Sequence, residues 1–285
     1  MIARVFVIAA AALAAAAPAR AAAPRFAATC HPAAAVLREL AAGRAEVTTL
    51  LPAGASPHTY EPQPSDIKNV AGAKALFYVS PLLDGWATRI GAAKTIDMIH
   101  LVPPALRLRN LEEEEGPGDD PHFWTDPLVV KATLGPLAEE LAKLDPPGAA
   151  AYRANAVRFA ARLDALDREM AAILAPVRGR ALLLFHPSLQ HLAKRYGLPI
   201  AGVVEPSPGK EPTPRYLQKV LRIVKEKQVR AVFGEPQLPR RAVDVVAEAA
   251  GIKSGLVDPM GGVPGRTTYE ELMLWNARAL AEALR

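Results

Sequence analysis

The sequence predicts an α/β protein of two lobes of similar construction, each with a mainly parallel sheet flanked by helices. Short β-type runs alternate with helical stretches from residue 25 onward, as is typical of strand–helix–strand units. The alternation stops in the middle of the chain and restarts after Gly179. Between the two halves, Ala149 to Ala175 form a helical pattern that contains no Gly or Pro.

The first half contains four predicted strands and four predicted helices. The strands are Phe26–Cys30, Val47–Leu51, Ala75–Ser80 and Thr95–Ile99. Helical patterns follow the first strand as far as Ala42, begin near Ser65 with Asp66 in the first turn, and cover Leu82–Ala92 and Pro127–Leu144. An acidic residue in the first turn is favoured by the helix dipole. Residues 107–120 break the pattern and predict a solvated acidic loop that includes Glu112–Glu115.

The second half repeats this arrangement. Its predicted strands are Ala181–Phe185, Ile200–Val204, Val229–Phe233 and Ile252–Val257, and its predicted helices are Ser188–Tyr196, Thr213–Lys227, Arg240–Ala250 and Thr267–Leu284. Gly197 and Gly251 are predicted to end helices as left-handed caps.

The central helical pattern has apolar residues at helical spacing. They are Tyr152, Ala156, Phe159, Leu163, Leu166, Met170 and Ile173. The periodicity allows two interpretations: a stiff strut that joins two lobes, or a long surface helix of a single domain.

The first 21 residues have the pattern of a signal peptide, with an alanine-rich disordered N-terminus as the alternative. Met-Ile-Ala-Arg precedes an apolar run from Val5 to Pro18, and Ala19-Arg-Ala21 predicts cleavage after Ala21. Cleavage would lower the formal charge from +5 to +3. We therefore expect an exported protein, and the absence of a Lys/Arg cluster argues against a nucleic-acid partner.

The cysteine content excludes an intramolecular disulfide, because Cys30 is the single cysteine. We interpret Cys30 as a buried thiol that ends the first strand. Apart from the N-terminal run, no apolar stretch of the sequence is long enough for a membrane helix.

Four candidate metal ligands lie far apart in the chain: His58, His122, His186 and Asp258. Each histidine is next to a proline, which restricts the backbone and would pre-organise a ligand. His186 and Asp258 follow predicted strands, at the edge where α/β sheets bind ligands. Three imidazoles and one carboxylate fill a tetrahedral zinc shell and leave no place for a catalytic water. Periodicity alone does not show that these residues converge.

The motifs that hold these residues resemble those of a known family. They are Gly-Ala-Ser-Pro-His58-Thr-Tyr-Glu-Pro, Asp-Pro-His122-Phe-Trp-Thr-Asp-Pro, Phe-His186, Phe233-Gly-Glu-Pro-Gln237 and Asp258-Pro-Met-Gly261. In this order they are similar to the zinc/manganese solute-binding proteins of bacterial ABC transporters.

The resemblance implies lobes at residues 22–146 and 178–285, a rigid linking helix at 147–177, and a signal peptide at 1–21. It also implies a metal site between the lobes with His58, His122, His186 and Asp258 as ligands. The protein is then expected to be a periplasmic monomer and not an enzyme, with a metal cargo and an ABC permease as partner. The sequence departs from the family pattern in two places. The acidic loop is short and contains no histidine, and His191 stands where relatives often have an aromatic residue.

The third histidine favours Zn²⁺ as cargo, because imidazole suits zinc and carboxylate-rich shells suit manganese. Mn²⁺ stays possible.

We expect Glu61, Glu235 and Asp126 to orient the imidazoles. Alternatives from other classes are a zinc-dependent hydrolase with Asp258 as base, a metal-dependent adhesin, and a binding protein for an organic solute. The sequence contains no His-Glu-x-x-His or Gly-x-Ser-x-Gly motif that would support a hydrolase.

Overall fold

The first lobe is built on a parallel sheet with the strand order β2-β1-β3-β4. The structure, a computed structural model, describes residues 23–111, 118–205 and 212–285, so the predicted signal peptide and Glu112–Glu115 lie outside the described residues. The strands are β1 (Arg25–Ala28), β2 (Glu46–Thr49), β3 (Leu76–Tyr78) and β4 (Thr95–Asp97). They are shorter than predicted, because the chain turns toward the next helix before Cys30 and Ser80.

Prolines start most helices of this lobe. The helices are α1 (His31–Ala41), α2 (Pro64–Val70), α3 (Pro81–Asp84) and α4 (Pro127–Leu144). Each has a proline in its first or second position, where the missing N–H costs no hydrogen bond. The helix predicted at Leu82–Ala92 is instead the short α3 followed by a 3-10 turn at Gly85–Arg89.

The second lobe repeats the topology with the order β6-β5-β7-β8, again all parallel. Its strands are β5 (Leu182–Leu184), β6 (Ile200–Val203), β7 (Ala231–Gly234) and β8 (Lys253–Leu256). Its helices are α6 (Gln190–Tyr196), α7 (Pro214–Glu226), α8 (Arg240–Ala250) and α9 (Tyr269–Leu284). Gly197 and Gly251 cap α6 and α8 with φ of 69° and 65°, which confirms the predicted left-handed caps.

The long helix α5 (Ala149–Leu174) lies between the lobes. It packs on α1 and α4 of the first lobe and on α9 of the second. On its surface, the Arg162 guanidinium contacts carboxylates of both lobes, Glu39 on α1 and Glu270 on α9. The interpretation of this helix as a strut is therefore confirmed.

A single hydrophobic cluster continues through both lobes. It includes Phe26 and Leu37 of the first lobe, Phe159 of α5, and Phe233 and Leu280 of the second lobe. Separation of the lobes would expose this apolar surface to water, so the two sheets are held as one unit. Within the described part of the chain, no helix is both long and apolar enough to cross a membrane.

Candidate metal centre

The two sheets differ in what occupies the crevice at the carboxyl ends of their central strands. In each sheet the strand order reverses between the two central strands, β1 and β3 or β5 and β7, and α/β proteins bind ligands in the crevice at such a point. In the first lobe the buried Asp84 carboxylate fills the crevice and accepts hydrogen bonds from Val79 N, Ser80 N and Thr29 Oγ1. In the second lobe His186 follows β5 and Glu235 follows β7, so that crevice presents side chains of the kind that bind metals.

His58 reaches the site from the loop between β2 and α2. The loop is fixed by Trp86, whose buried indole Nε1 donates to the Pro57 carbonyl at 3.0 Å. The His58 ring in turn donates to the Leu82 carbonyl. A hydrogen bond of this kind fixes the tautomer and the orientation of a ligating imidazole.

His122 is held by Asp120, two residues earlier in the chain. Asp120 Oδ1 accepts hydrogen bonds from His122 N at 3.0 Å and from His122 Nδ1 at 2.8 Å. Because Nδ1 carries the donated proton, the lone pair of the neutral ring is on Nε2. Nε2 faces His186.

The three histidines converge between the lobes. One ring nitrogen from each of His58, His122 and His186 lies within 4.8 Å of the other two. The Nε2 atoms of His122 and His186 are 3.4 Å apart. With Zn–N bonds of about 2.0–2.1 Å, two nitrogens of a tetrahedral shell lie about 3.3–3.4 Å apart. This pair of nitrogens therefore already has the spacing that one zinc ion requires.

Burial keeps the imidazoles of His58 and His186 neutral. Burial and, to a lesser extent, repulsion from the nearby His122 lower the pKa of His58 to about 3. Burial also lowers the pKa of His186 well below its usual value, together with repulsion from His58 and His122. Neutral imidazoles repel one another less than imidazolium ions and are the form that binds metals.

Polar groups of the second lobe complete the wall of the site. Glu235 and Gln237 line the same pocket as the three histidines, together with Met260. Burial raises the pKa of Glu235 to about 8, and its Oε1 accepts a hydrogen bond from Ser188 Oγ at 2.5 Å. At neutral pH this carboxyl group is therefore mostly protonated.

Asp258 lies next to the site but outside the group of three histidines. Its carboxylate Oδ1 accepts hydrogen bonds from Gln237 Nε2, Met260 N and Gly261 N at 2.9–3.0 Å. Its Oδ2 is 2.9 Å from Arg266 Nη1. The role of Asp258 as a ligand stays a prediction, and in this structure the cation beside the carboxylate is Arg266.

The residues predicted to orient the imidazoles are only partly placed as expected. Asp126 Oδ1 instead caps α4 through Leu128 N and pairs with Arg195 Nε at 2.6 Å. Glu61 is exposed, whereas Glu235 does reach the pocket. The sequence analysis did not select Asp120, although its position two residues before a candidate ligand in a proline-stiffened segment was a readable signal.

The remaining histidines have separate environments. His100 is exposed and pairs with Asp97 Oδ2 at 2.9 Å. The ring of His31, at the start of α1, packs beside Gly262 of the second lobe. His191 on α6 is buried.

The chain is similar in sequence and fold to known proteins. The family described as ZnuA, zinc-uptake complex component A periplasmic, matches residues 27–283. The high-affinity zinc uptake system protein ZnuA of Brucella abortus (strain 2308) is 34% identical over 167 residues, which are 58% of this chain and 50% of that protein. The chain thus matches half the length of that relative.

Two further similarities extend over most of the chain. The manganese-binding lipoprotein MntA of Halalkalibacterium halodurans is 31% identical over 257 residues, covering 87% of this chain and 84% of that protein. The structure of the SBP FpvC from Pseudomonas aeruginosa in complex with Mn²⁺ has a TM-score of 0.80 at 27% identity, covering 92% of this chain and 98% of that one. The family match and the shared fold confirm the predicted resemblance, and the chain therefore belongs to the ZnuA family of zinc/manganese solute-binding proteins of ABC transporters.

Proposed function

We propose that this protein captures Zn²⁺ outside the cytoplasmic membrane and delivers it to an ABC permease. The observation that carries the proposal is the convergence of His58, His122 and His186, with two ring nitrogens at 3.4 Å. Three imidazoles at this spacing provide three of the four ligands of a tetrahedral zinc ion.

Mn²⁺ is the second candidate cargo, favoured by the similarity to the MntA lipoprotein and to FpvC with Mn²⁺. Zinc is preferred here because three nitrogen donors suit zinc better than manganese. The Irving–Williams order also favours zinc over manganese at most sites of this kind.

For the fourth ligand we propose Asp258, as the resemblance implies. Its carboxylate accepts three hydrogen bonds and pairs with Arg266, so coordination requires exchange of at least one of these contacts for the metal. Gln237 and Arg266 are the side-chain donors, and they can move without a backbone change. Glu235 is the competing oxygen donor, because it lines the pocket of the three histidines.

A zinc-dependent hydrolase is less well supported. That function needs an open coordination position and a general base. Asp258 was the candidate base, but both of its oxygens already accept hydrogen bonds or pair with Arg266. The curated relatives named above are uptake or metal-binding proteins.

The expected setting is the periplasm, with residues 1–21 as a cleaved signal peptide. The family description includes the word periplasmic. We further propose that residues 22–146 and 178–285 act as two lobes on the linking helix 147–177, and that a monomer presents both lobes to the permease. The packing of α5 on both lobes supports this division.

The test is competitive binding of Zn²⁺ and Mn²⁺ to residues 22–285, against a chromophoric chelator, for wild type, His186→Ala and His100→Ala. His100 is the matched control because it is an exposed histidine paired with Asp97. We expect one tight zinc site that His186→Ala weakens strongly and His100→Ala leaves unchanged, with manganese readily displaced.

Two results would contradict the proposal in different ways. Tight zinc binding that ignores His186→Ala would show that the metal binds elsewhere. Manganese that resists displacement by zinc would favour the second candidate cargo.

A further inference from the structure

Only one of the two carboxylate oxygens of Asp120, the residue that orients His122, accepts hydrogen bonds among the residues that the structure describes. Asp120 Oδ1 accepts two hydrogen bonds from His122. Asp120 Oδ2 is buried and has no hydrogen-bond partner among the residues that the structure describes. A buried carboxylate oxygen without a donor is costly, because it has lost its water and gained nothing in exchange.

The polar group that faces this oxygen comes from the other lobe. His191 Nε2, on α6, is 3.9 Å from Asp120 Oδ2, and both side chains are 2% exposed. His191 Nε2 also lacks a hydrogen-bond partner within the described part of the chain. The gap is about 1 Å longer than an ordinary N–H···O hydrogen bond, a distance that a small rotation of the imidazole ring would close.

The charged groups around His191 are occupied or exposed. Asp126 Oδ1 accepts from Arg195 Nε and from the first turn of α4, and Lys194 is exposed. Burial lowers the pKa of His191, so its ring is neutral at pH 7 and has one N–H to donate. His191 is therefore well placed to supply the missing donor to Asp120.

Metal binding increases the need for that donor. A cation on His122 Nε2 makes the Nδ1–H group a stronger donor, and the orientation of the ring then depends more strongly on the position of the carboxylate that accepts from it. A second donor on the free oxygen would hold that carboxylate in place.

We propose that His191 is a positioning residue of the metal centre, which donates to Asp120 Oδ2 and thereby fixes Asp120 against His122. The inference rests on the proposed function. His191 would act across the two lobes and through Asp120, without contacting the metal.

The experiment compares zinc affinity in wild type, His191→Phe, His191→Gln and the control Lys194→Gln. The two His191 variants are also measured in combination with Asp120→Asn. Residues outside the ligand shell that orient a metal-binding histidine typically change affinity about 10- to 100-fold. We expect His191→Phe to weaken zinc binding about tenfold, His191→Gln to retain most of the affinity through its amide donor, and Lys194→Gln to have no effect.

Two readouts separate positioning from packing. In the Asp120→Asn background, His191→Phe should cause little further loss, because its effect passes through Asp120. In zinc-loaded protein, the NMR resonance of the His122 Nδ1–H proton should shift in His191→Phe and stay near its wild-type position in His191→Gln.

The opposite results overturn the inference. Zinc affinity of His191→Phe within twofold of wild type, or an equal loss with and without Asp120→Asn, would show that His191 only packs. A wild-type protein without a tight zinc site would overturn the proposed function as well, whereas a tight site that ignores His191 overturns this inference alone.

Discussion

Asp258 Oδ2 and Arg266 Nη1 form an ion pair of 2.9 Å beside the three histidines. The Asp258 side chain is 2% exposed, and the Arg266 guanidinium also stacks on Trp275, 4.3 Å from the ring centroid. Asn276 of α9 fixes the backbone of Asp258, because its side chain accepts a hydrogen bond from Asp258 N and donates one to Asp258 O. The predicted fourth ligand is thus paired with a protein cation, which would compete with a metal ion for this carboxylate.

Substitution of Asp258 and substitution of Arg266 should therefore have opposite effects on zinc affinity. We expect Asp258→Asn to weaken zinc binding roughly a hundredfold, about 2.7 kcal/mol, because a charged ligand is lost. Arg266→Gln should tighten binding by about tenfold, on the order of 1.4 kcal/mol, because the competing cation is gone. Competition with a chelator for zinc would measure the affinities of both variants.

The control for this pair is Arg278→Gln, which removes an exposed arginine of α9 that pairs with Glu169 of α5. It should leave zinc affinity unchanged. If Asp258→Asn has no effect on affinity, the ion pair with Arg266 is the permanent role of Asp258 and the fourth ligand is a different group, with Glu235 the first to examine.

Glu235 should make the stability of the metal-free protein depend on pH. Burial raises its pKa from 4.5 to about 8, so between these values the folded state holds a proton that the unfolded state has lost. The stability that this group contributes is present below pH 4.5 and is lost as pH rises through 8. Relative to Glu235→Gln, wild type should lose stability with rising pH, by at most about 1.4 kcal/mol per pH unit.

Urea unfolding of both proteins at pH 5 and pH 7.5 would measure this difference. The lowered pKa values of His58 and His186 act in the opposite direction, since those rings take up protons on unfolding as pH falls. They are present in both proteins and cancel in the comparison. Parallel pH profiles would mean that Glu235 ionises as freely in the folded protein as in the unfolded chain.

The loops of His122 and Asp258 are joined across the lobes by buried hydrogen bonds. Trp124 Nε1 donates to the Pro259 carbonyl at 2.8 Å, and Tyr269 Oη donates to the Trp124 carbonyl at 2.6 Å. Tyr269→Phe should lower the free energy of unfolding by about 1–3 kcal/mol, because a buried carbonyl loses its donor.

Tyr216→Phe is the matched control, since its hydroxyl donates to the Val203 carbonyl at a less buried position within the second lobe. Denaturant unfolding of both variants would measure the loss. An equal, small loss in both would show that the bond across the lobes adds nothing beyond an ordinary surface hydrogen bond.

Zinc binding should produce a small lobe movement. The hydrophobic cluster shared by both lobes resists opening, and exposing even 400 Å² of apolar surface would cost on the order of 10 kcal/mol. The radius of gyration from small-angle X-ray scattering should therefore change little between metal-free and zinc-loaded protein. A marked compaction on zinc binding would contradict the role of α5 as a rigid strut.

The sequence predicted the elements well because their signals are local. Strand–helix alternation, the proline at the start of α4 and the glycine after α6 depend on residues a few positions apart. The two Asp-Pro pairs within residues 120–127 show the limit of such signals. Asp126 precedes a helix and caps it, whereas Asp120 orients His122, yet both pairs have the same two-residue pattern.

The sequence by itself determined that His58, His122 and His186 stand in proline-stiffened loops. His58 lies in the loop after a predicted strand, His122 lies a few residues before a predicted helix, and His186 directly follows a predicted strand. Their meeting point, the pairing of Asp258 with Arg266 and the approach of His191 to Asp120 were decided only by the tertiary structure. The physical reason is distance along the chain: His191 and Asp120 are brought together by the packing of α6 against the first lobe. Local propensity acts within a few residues, but a shared metal centre depends on contacts that only the folded core creates.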